Sequence, residues 1–421
     1  MTVKPTTTYS ALSIARNAFA RHRRWPAAWR SPEPAGEYDV VIVGAGGHGL
    51  ATAYYLASRH KAGRIAVIDK GWLGGGNTAR NTTIIRSNYL RPESIAIYEL
   101  ARGLYERLSA NLDFNVMFSA RGLLNLCLTE HEMKVFSRIA EACRLAGVSA
   151  QMIAPLEARK LAPLLAPDTD LRYPILGALY QPNAGTARHD AVAWAYARAA
   201  DAHGVDLIQD CAVTRILREG DRVTGVETAR GLIKARKVAI VASGHSALLA
   251  ETAGVALPLQ SVCLQALVSE PVKPVLDVVV MAGEVQGYIS QSDKGEMVIG
   301  GGTDPYLNFS QRGTFPAIGE TVAAVVELMP RLSRLKMLRS WGGIVDLTPD
   351  RSPIMGLTEV DGLTVNCGWG TGGFKAIPGS GLVFADTIAH DRPHVLAEPF
   401  SLTRFSTGRI LDESTAAAVA H

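Results

Sequence analysis

Residues 38–49 read Tyr38-Asp39-Val40-Val41-Ile42-Val43-Gly44-Ala45-Gly46-Gly47-His48-Gly49, an apolar, β-branched run that passes directly into GxGxxG. A short run of this kind is the signature of a strand buried on both faces of a parallel sheet. From Gly47 onward, Leu50, Ala53, Tyr54 and Ala57 recur at three- and four-residue spacing, which predicts a helix with one apolar face. Residues 64–69 (RIAVID) then predict a second buried strand, completing a strand-helix-strand unit with the default right-handed crossover. In that context the glycines have mechanical roles. Gly44 permits the tight turn, Gly46 lets a pyrophosphate approach the backbone, Gly47 opens the helix, and Gly49 allows the helix to pack closely on the strand. The free N–H groups at the helix start suit an anion. Asp69, about twenty residues past the fingerprint, is placed to accept hydrogen bonds from a ribose. His48 is expected to be a spacer.

The fingerprint alone does not separate NAD from FAD, but its surroundings favour FAD. Directly after Asp69 runs Lys70-Gly71-Trp72-Leu73-Gly74-Gly75-Gly76-Asn77-Thr78-Ala79-Arg80-Asn81-Thr82, rich in glycine and amide and poor in helical period. Such a loop can wrap a pyrophosphate and flavin edge, where an NAD enzyme would more often continue with another regular crossover. Lys70, Asn77, Thr78, Arg80, Asn81 and Thr82 are therefore expected at the cofactor, as is Gly244, which ends a later strand. Residues 365–375 (VNCGWGTGGFK) add a second glycine-rich turn before a helix. Gly370, Thr371, Gly372 and Gly373 would let backbone approach the isoalloxazine, and the helix start would aim positive charge at the reduced flavin.

Outward from these motifs, the chain alternates. Residues 190–203 predict a helix; 205–213, 222–229 and 237–243 predict strands; 92–163 has mostly helical period; 259–304 shows alternating strands; and 363–366 reads as a strand followed by a glycine-rich turn into a helix over 380–389. The fold class expected is α/β, a Rossmann-like nucleotide domain (37–91, 177–258, 345–400) interleaved with a mixed α+β substrate domain (92–176, 259–344), between a basic arm (1–36) and a tail (401–421). At 421 residues with 48% hydrophobic and 19% charged residues, a sizeable core is affordable and disorder is not indicated. The net charge of +4 is concentrated in Lys4, Arg16, Arg21, Arg23, Arg24 and Arg30, where no acidic residue intervenes. The near-neutral remainder argues against a nucleic-acid surface. Five cysteines (Cys127, Cys143, Cys211, Cys263, Cys367) without a CxxC pair suggest neither a disulfide framework nor a metal site. No apolar run is long enough for a membrane helix, so a cytoplasmic protein is expected, with the basic arm docking on a partner or, as the alternative, serving as a transit peptide.

The fingerprint, the loop continuing through Thr83-Ile84-Ile85-Arg86-Ser87-Asn88-Tyr89, the stretch from Trp341-Gly342-Gly343 to Thr348-Pro349-Asp350, and the run from Cys367 to Lys375 together resemble the glycine oxidase, sarcosine oxidase and D-amino-acid oxidase family. Within it they are most similar to the beta chains of heterotetrameric sarcosine oxidases, over about residues 38–421. The resemblance implies noncovalent FAD, a covalent FMN, a small amino acid such as sarcosine as substrate, and partners comprising a larger alpha subunit with NAD and folate sites plus small subunits. It assigns Arg86 and Lys375 as the cations that hold the substrate carboxylate, and His189 as the residue that carries FMN. Two fixed cations suit a substrate with little apolar area, and a neutral imidazole is favoured at a helix start. One departure stands out: monomeric relatives anchor FAD through a cysteine shortly before the Thr-Pro-Asp segment, where this chain has Gly342-Gly343-Ile344-Val345-Asp346. A dehydrogenase of another secondary amino acid (dimethylglycine, proline or an opine) and a non-catalytic flavin-binding electron-transfer subunit remain the alternatives.

Overall fold

The structure is a computed structural model and describes residues 10–23, 25 and 27–414. The basic arm is thus described in part, Lys4 and Arg24 lying outside the described residues, as does the tail beyond Ser414. Glu37–Val43 is a strand, and parallel neighbours flank it on both sides, Ile65–Ile68 and Gly231–Ile240. In register, Val41 sits opposite Val238 on one side and Ala66 on the other, all three fully buried. An unbroken β-branched run is stable there because both faces of the sheet are covered by apolar clusters.

The sheet continues through Asp206–Ile208 at one edge and Arg222–Thr228 and Val213–Glu219 at the other, while Leu363–Cys367 adds in parallel to Gly231–Ile240 and pairs with Ile354–Leu357. Helices Gly47–Tyr55, Pro92–Leu112, His189–Ala202 and Gly373–His390 pack on one face and share a large apolar core. A second sheet has the order Met337–Leu347, Gln260–Pro271, Glu296–Thr303, Gly287–Gln291, Val279–Ala282, Leu123–Cys127, Gly177–Gln181 and Gln151–Ile153. It is antiparallel except where Val279–Ala282 meets Leu123–Cys127, and helix Phe315–Leu328 covers it. A small three-stranded ribbon of Ile84–Ile85, Gly185–Thr186 and Ser119–Ala120 delivers the chain to Arg86.

The α/β class with two interleaved sheets is as expected, and several boundaries are corrected. The late helix starts at Gly373, not at residue 380, and takes Pro378 and Gly379 into its interior. Close packing explains the glycine: a Cβ on Gly379 would stand 3.0 Å from the Ile97 carbonyl oxygen. The strand expected over 205–213 is only Asp206–Ile208, and a separate strand begins at Val213, since Asp210 turns the chain with φ 51°. Strand Gly231–Ile240 begins before residue 237 and stops short of Ser243. Between 92 and 163 the helices are interrupted by Leu123–Cys127 and Gln151–Ile153. Gly177–Gln181 pairs within the second sheet, so that sheet's share of the chain runs past the boundary expected at 176.

A dinucleotide cradle with two buried cations

One large cavity, about 690 Å³, opens along the carboxyl ends of Glu37–Val43 and its neighbours, where the fingerprint turn meets the second sheet. At Gly44 the backbone takes φ +115° and a Cβ would lie 2.3 Å from the Val241 carbonyl oxygen, so only glycine fits the turn. At Gly49 a Cβ would lie 2.0 Å from the Gly44 carbonyl oxygen, which is the close helix-strand approach anticipated for it. At Gly46, by contrast, a Cβ would meet only Thr78 Oγ1, in ordinary contact at 3.4 Å. The start of helix Gly47–Tyr55 therefore borders the cavity, with the Thr78 hydroxyl the side chain that reaches its first N–H.

Asp69 braces this loop. One carboxylate oxygen accepts from the Ala45 N–H at 2.8 Å and the other from Gly71 N–H at 2.9 Å, while the side chain still borders the cavity. Each oxygen retains a lone pair for a ribose hydroxyl. The 70–82 loop forms the opposite wall. Thr78 Oγ1 accepts from the Gly47 N–H at 3.0 Å, Asn77 donates to Ser243 Oγ at 2.9 Å and to the Ile344 carbonyl, and Arg80 donates to the Gly75 and Gly76 carbonyls and to Gln311 Oε1. Asn81 accepts from Thr83 N–H, Thr82 donates to Tyr288, and Lys70 meets His245 Nε2 at 3.1 Å. The loop is thus tied to both sheets before any ligand is present.

Of the sequence-derived candidates, Gly44, Gly46, Gly47, Asp69, Lys70, Asn77, Thr78, Arg80, Asn81, Thr82, Arg86, Gly244, Gly370, Thr371, Gly373 and Lys375 border this cavity. Gly49 and Gly372 do not, and act as spacers instead; a Cβ on Gly372 would strike Tyr98 Oη at 2.1 Å. His189 is also elsewhere, half-buried as the first residue of helix His189–Ala202, beside the Arg188–Asp190 ion pair. Its imidazole pKa is lowered chiefly by burial, so desolvation rather than the helix start is the leading cause of a neutral ring.

Arg86 and Lys375 come together from opposite ends of the chain, both buried at 5% and 6% exposure. Arg86 donates from Nη1 to the Asn88 carbonyl at 3.0 Å and to Asn88 Oδ1 at 2.9 Å, and its guanidinium lies over the Tyr89 ring at 4.6 Å. Lys375 stands in the first turn of helix Gly373–His390 and donates to the Thr371 carbonyl at 3.0 Å. Burial, and then the Arg86 charge, push its ammonium pKa well below the ordinary lysine value. Two cations and a helix amino terminus make this end of the cavity strongly electropositive and suited to a carboxylate.

Three residues bordering the cavity went unremarked or undervalued in the sequence. His48 stacks on Trp369 at 5.0 Å, its Nδ1 meets Ser380 Oγ, and burial pulls its pKa down to about 4. Asp346 accepts from the Gly368 N–H at 2.6 Å, and burial raises its carboxyl to about 6. Asn366 holds Trp369 Nε1 at 2.6 Å through Oδ1, leaving its buried Nδ2 without a protein partner. Only the Gly-rich neighbourhood of Asn366 and Trp369 was a usable signal. A glycine cradle, a helix start at the cavity and an unpartnered buried amide on a residue that borders it fit a dinucleotide with a flavin end. Cys263 and Cys367 are buried with thiol pKa values raised, and neither occupies the position before the Thr-Pro-Asp segment.

Comparison with known proteins agrees. Residues 39–387 match the family described as FAD dependent oxidoreductase. The chain is 59% identical to the sarcosine oxidase subunit beta of Rhodobacter capsulatus, covering 98% of this chain and 99% of that one. It is 54% identical to the subunit of the same name from an Arthrobacter species, covering 93% and 97% respectively. Among solved structures, L-proline dehydrogenase from P. horikoshii superposes with a TM-score of 0.83 at 26% identity, over 90% of this chain and all of that one.

Proposed function

Because the chain belongs to the FAD dependent oxidoreductase family and, within it, to the group of sarcosine oxidase beta subunits, we propose that it oxidises the N-methyl group of sarcosine using noncovalently held FAD. The observation that carries this reading is the pairing of Arg86 and Lys375, two buried cations at one end of a cavity whose other end is a dinucleotide cradle. Sarcosine offers one carboxylate and little apolar area, so two charge-assisted contacts supply most of its affinity and fix its orientation. FAD held in the cradle supplies a two-electron acceptor beside that carboxylate site. Arg86, tied down by Asn88, sets the carboxylate's position, the arriving carboxylate stabilises the Lys375 ammonium, and the amine binds neutral. The oxidised substrate is an imine, which water cleaves to glycine and formaldehyde unless tetrahydrofolate captures the carbon.

The same proposal extends to a second flavin and to partners. His189, neutral through burial, is the attachment point for FMN, which would pass electrons to O2 and give H2O2. The relatives are named as subunits, and helix Ala11–Phe19 leaves Leu12, Ile14 and Phe19 exposed, supporting a larger alpha subunit, with NAD and folate sites, and small subunits as partners. Among the described residues no helix is long and apolar enough to cross a membrane, and all five cysteines are buried and unpaired, which supports a reducing, cytoplasmic setting.

The decisive measurement is anaerobic mixing of the purified, flavin-loaded chain with sarcosine while following flavin absorbance, with dimethylglycine and proline in parallel. Bleaching fastest with sarcosine supports the proposal. Bleaching with proline or dimethylglycine alone makes the chain a dehydrogenase of that amine, and no bleaching with any of them makes it an electron-transfer subunit.

A further inference from the structure

Two helices that begin at the cavity end together on the far side of the molecule. Helix Gly47–Tyr55 runs on into a π-helical turn, Leu56–His60, closed by Lys61 with φ 49°. Helix Gly373–His390 is closed by Asp391 with φ 53°. The two pack at backbone distance, since a Cβ on Gly381 would lie 2.5 Å from the Ala51 Cβ. Their last turns bring His60, Asp386 and His390 to one spot. One donor atom from each lies within 4.8 Å of the other two, and the His60 and His390 rings stand 5.3 Å apart at 86°. None of the three borders the flavin cavity.

We propose that His60, Asp386 and His390 form a binding site for a divalent first-row transition metal ion of the Zn2+ type. Asp386 and His390 are four residues apart on one helix, the spacing that puts both side chains on the same face. By themselves they make a helix-terminal ion pair, with Oδ1 and Nδ1 3.3 Å apart and Nδ1 also 2.9 Å from the Asp386 carbonyl oxygen. His60 brings the third donor from a different element, its ring standing edge-on to that of His390. The π-helical turn matters because its wider winding changes the angular position of the last residue, and such turns recur at functional positions. Two imidazoles and one carboxylate select Zn2+, Ni2+ or Cu2+ over Mg2+ and Ca2+, which require mostly oxygen donors. Both helices present their negative dipole ends here, which favours a cation. Arg59 opposes it, while Lys237, on the neighbouring strand, is already paired with Asp391 at 2.7 Å. His390 and half-exposed His60 leave the remaining coordination positions to water. An ion there would cross-brace the outer ends of the two helices whose inner ends frame the flavin site.

The test uses the full, untagged chain with FAD bound, stripped with chelator and titrated calorimetrically with Zn2+. One ion per chain is expected, tighter than about 0.1 mM, with Mg2+ giving no heat. His60→Gln and Asp386→Asn should each weaken Zn2+ binding by at least about tenfold while the flavin spectrum stays unchanged. Co2+ should give ligand-field bands at wavelengths beyond the flavin absorption, lost in His60→Gln. Should one variant lose its flavin, the other decides. Absence of binding at that concentration, or binding that both variants retain at full strength, overturns the site.

Discussion

Lys375 and Arg86 border one cavity from opposite ends of the chain, and the Arg86 charge adds to burial in driving the Lys375 pKa down. Two like charges buried together are costly, and a bound carboxylate relieves that cost. Arg86→Ala should therefore raise the KM for sarcosine sharply while FAD stays bound, because Arg86 contacts the proposed carboxylate site and not the glycine cradle. Loss of one charge-assisted contact costs about 1.5–3 kcal/mol. Steady-state kinetics with wild-type constants would remove Arg86 from the proposal.

Lys375 also predicts a pH dependence with a definite sign. In the free protein its pKa lies well below the ordinary value, and a carboxylate ligand stabilises the ammonium and raises it. Binding then takes up a proton, so affinity is greatest below the free pKa and falls as pH rises between the free and liganded values. Titrating a carboxylate inhibitor against flavin absorbance at several pH values measures this. In Lys375→Met the affinity should be lower throughout and the slope lost; a slope that survives assigns the proton to another group.

His48 should contribute to the loss of stability in acid. Its folded pKa, about 4, is lower than the ordinary 6.5, because burial disfavours the charged ring. Below pH 6.5 the unfolded chain takes a proton that the folded chain refuses, so stability falls from there down to about pH 4 and then levels off for this group. His48→Gln should show a smaller drop in Tm between pH 7 and pH 5 than wild type, whatever its absolute Tm. Parallel curves would mean that other groups set the acid limb.

His189→Ala should leave FAD reduction by sarcosine intact under anaerobic conditions, since His189 does not border the flavin cavity. The same variant should lose the flavin that survives acid precipitation and consume oxygen more slowly. A wild-type tryptic peptide carrying His189 with the added mass of FMN would be the direct observation. If wild-type protein releases every flavin in acid, the tether is wrong and a dehydrogenase becomes the better description.

Deleting residues 1–34 should leave FAD bound and weaken assembly with partner subunits. Helix Ala11–Phe19 buries no residue of its own, and Arg30, itself half-exposed, contributes ion pairs with Asp201 at 2.7 Å and Asp206 at 3.8 Å and a hydrogen bond to the Val205 carbonyl. Flavin content and size-exclusion chromatography with the partners check both halves of this expectation. A folded truncation that has lost FAD would make the arm part of the nucleotide domain.

The strand, turn and helix around Gly44 and Gly49 were legible in the sequence because their causes are local. A β-branched run, a positive φ and a close helix-strand contact each depend on residues within a short window. Asp69 and the 70–82 loop followed from the same unit. The meeting of Arg86 with Lys375 was legible only through family resemblance, since nothing in the spacing of two distant cations says that they share a cavity. Other features belonged to the tertiary structure alone. Pro378 and Gly379, residues of poor helix propensity, lie inside a helix, Gly379 where it packs closely on Ile97 and Ala101. Asp386 and His390 showed helical spacing, but His60 joins them only because the fingerprint helix and the late helix lie side by side. Burial of His48 and Asp346, and with it the shift in their charge states, likewise came from the surrounding layers. Local backbone geometry is set by neighbouring residues in the chain, whereas desolvation and the convergence of charges are set by which surfaces are pressed together, and sequence spacing carries no measure of that.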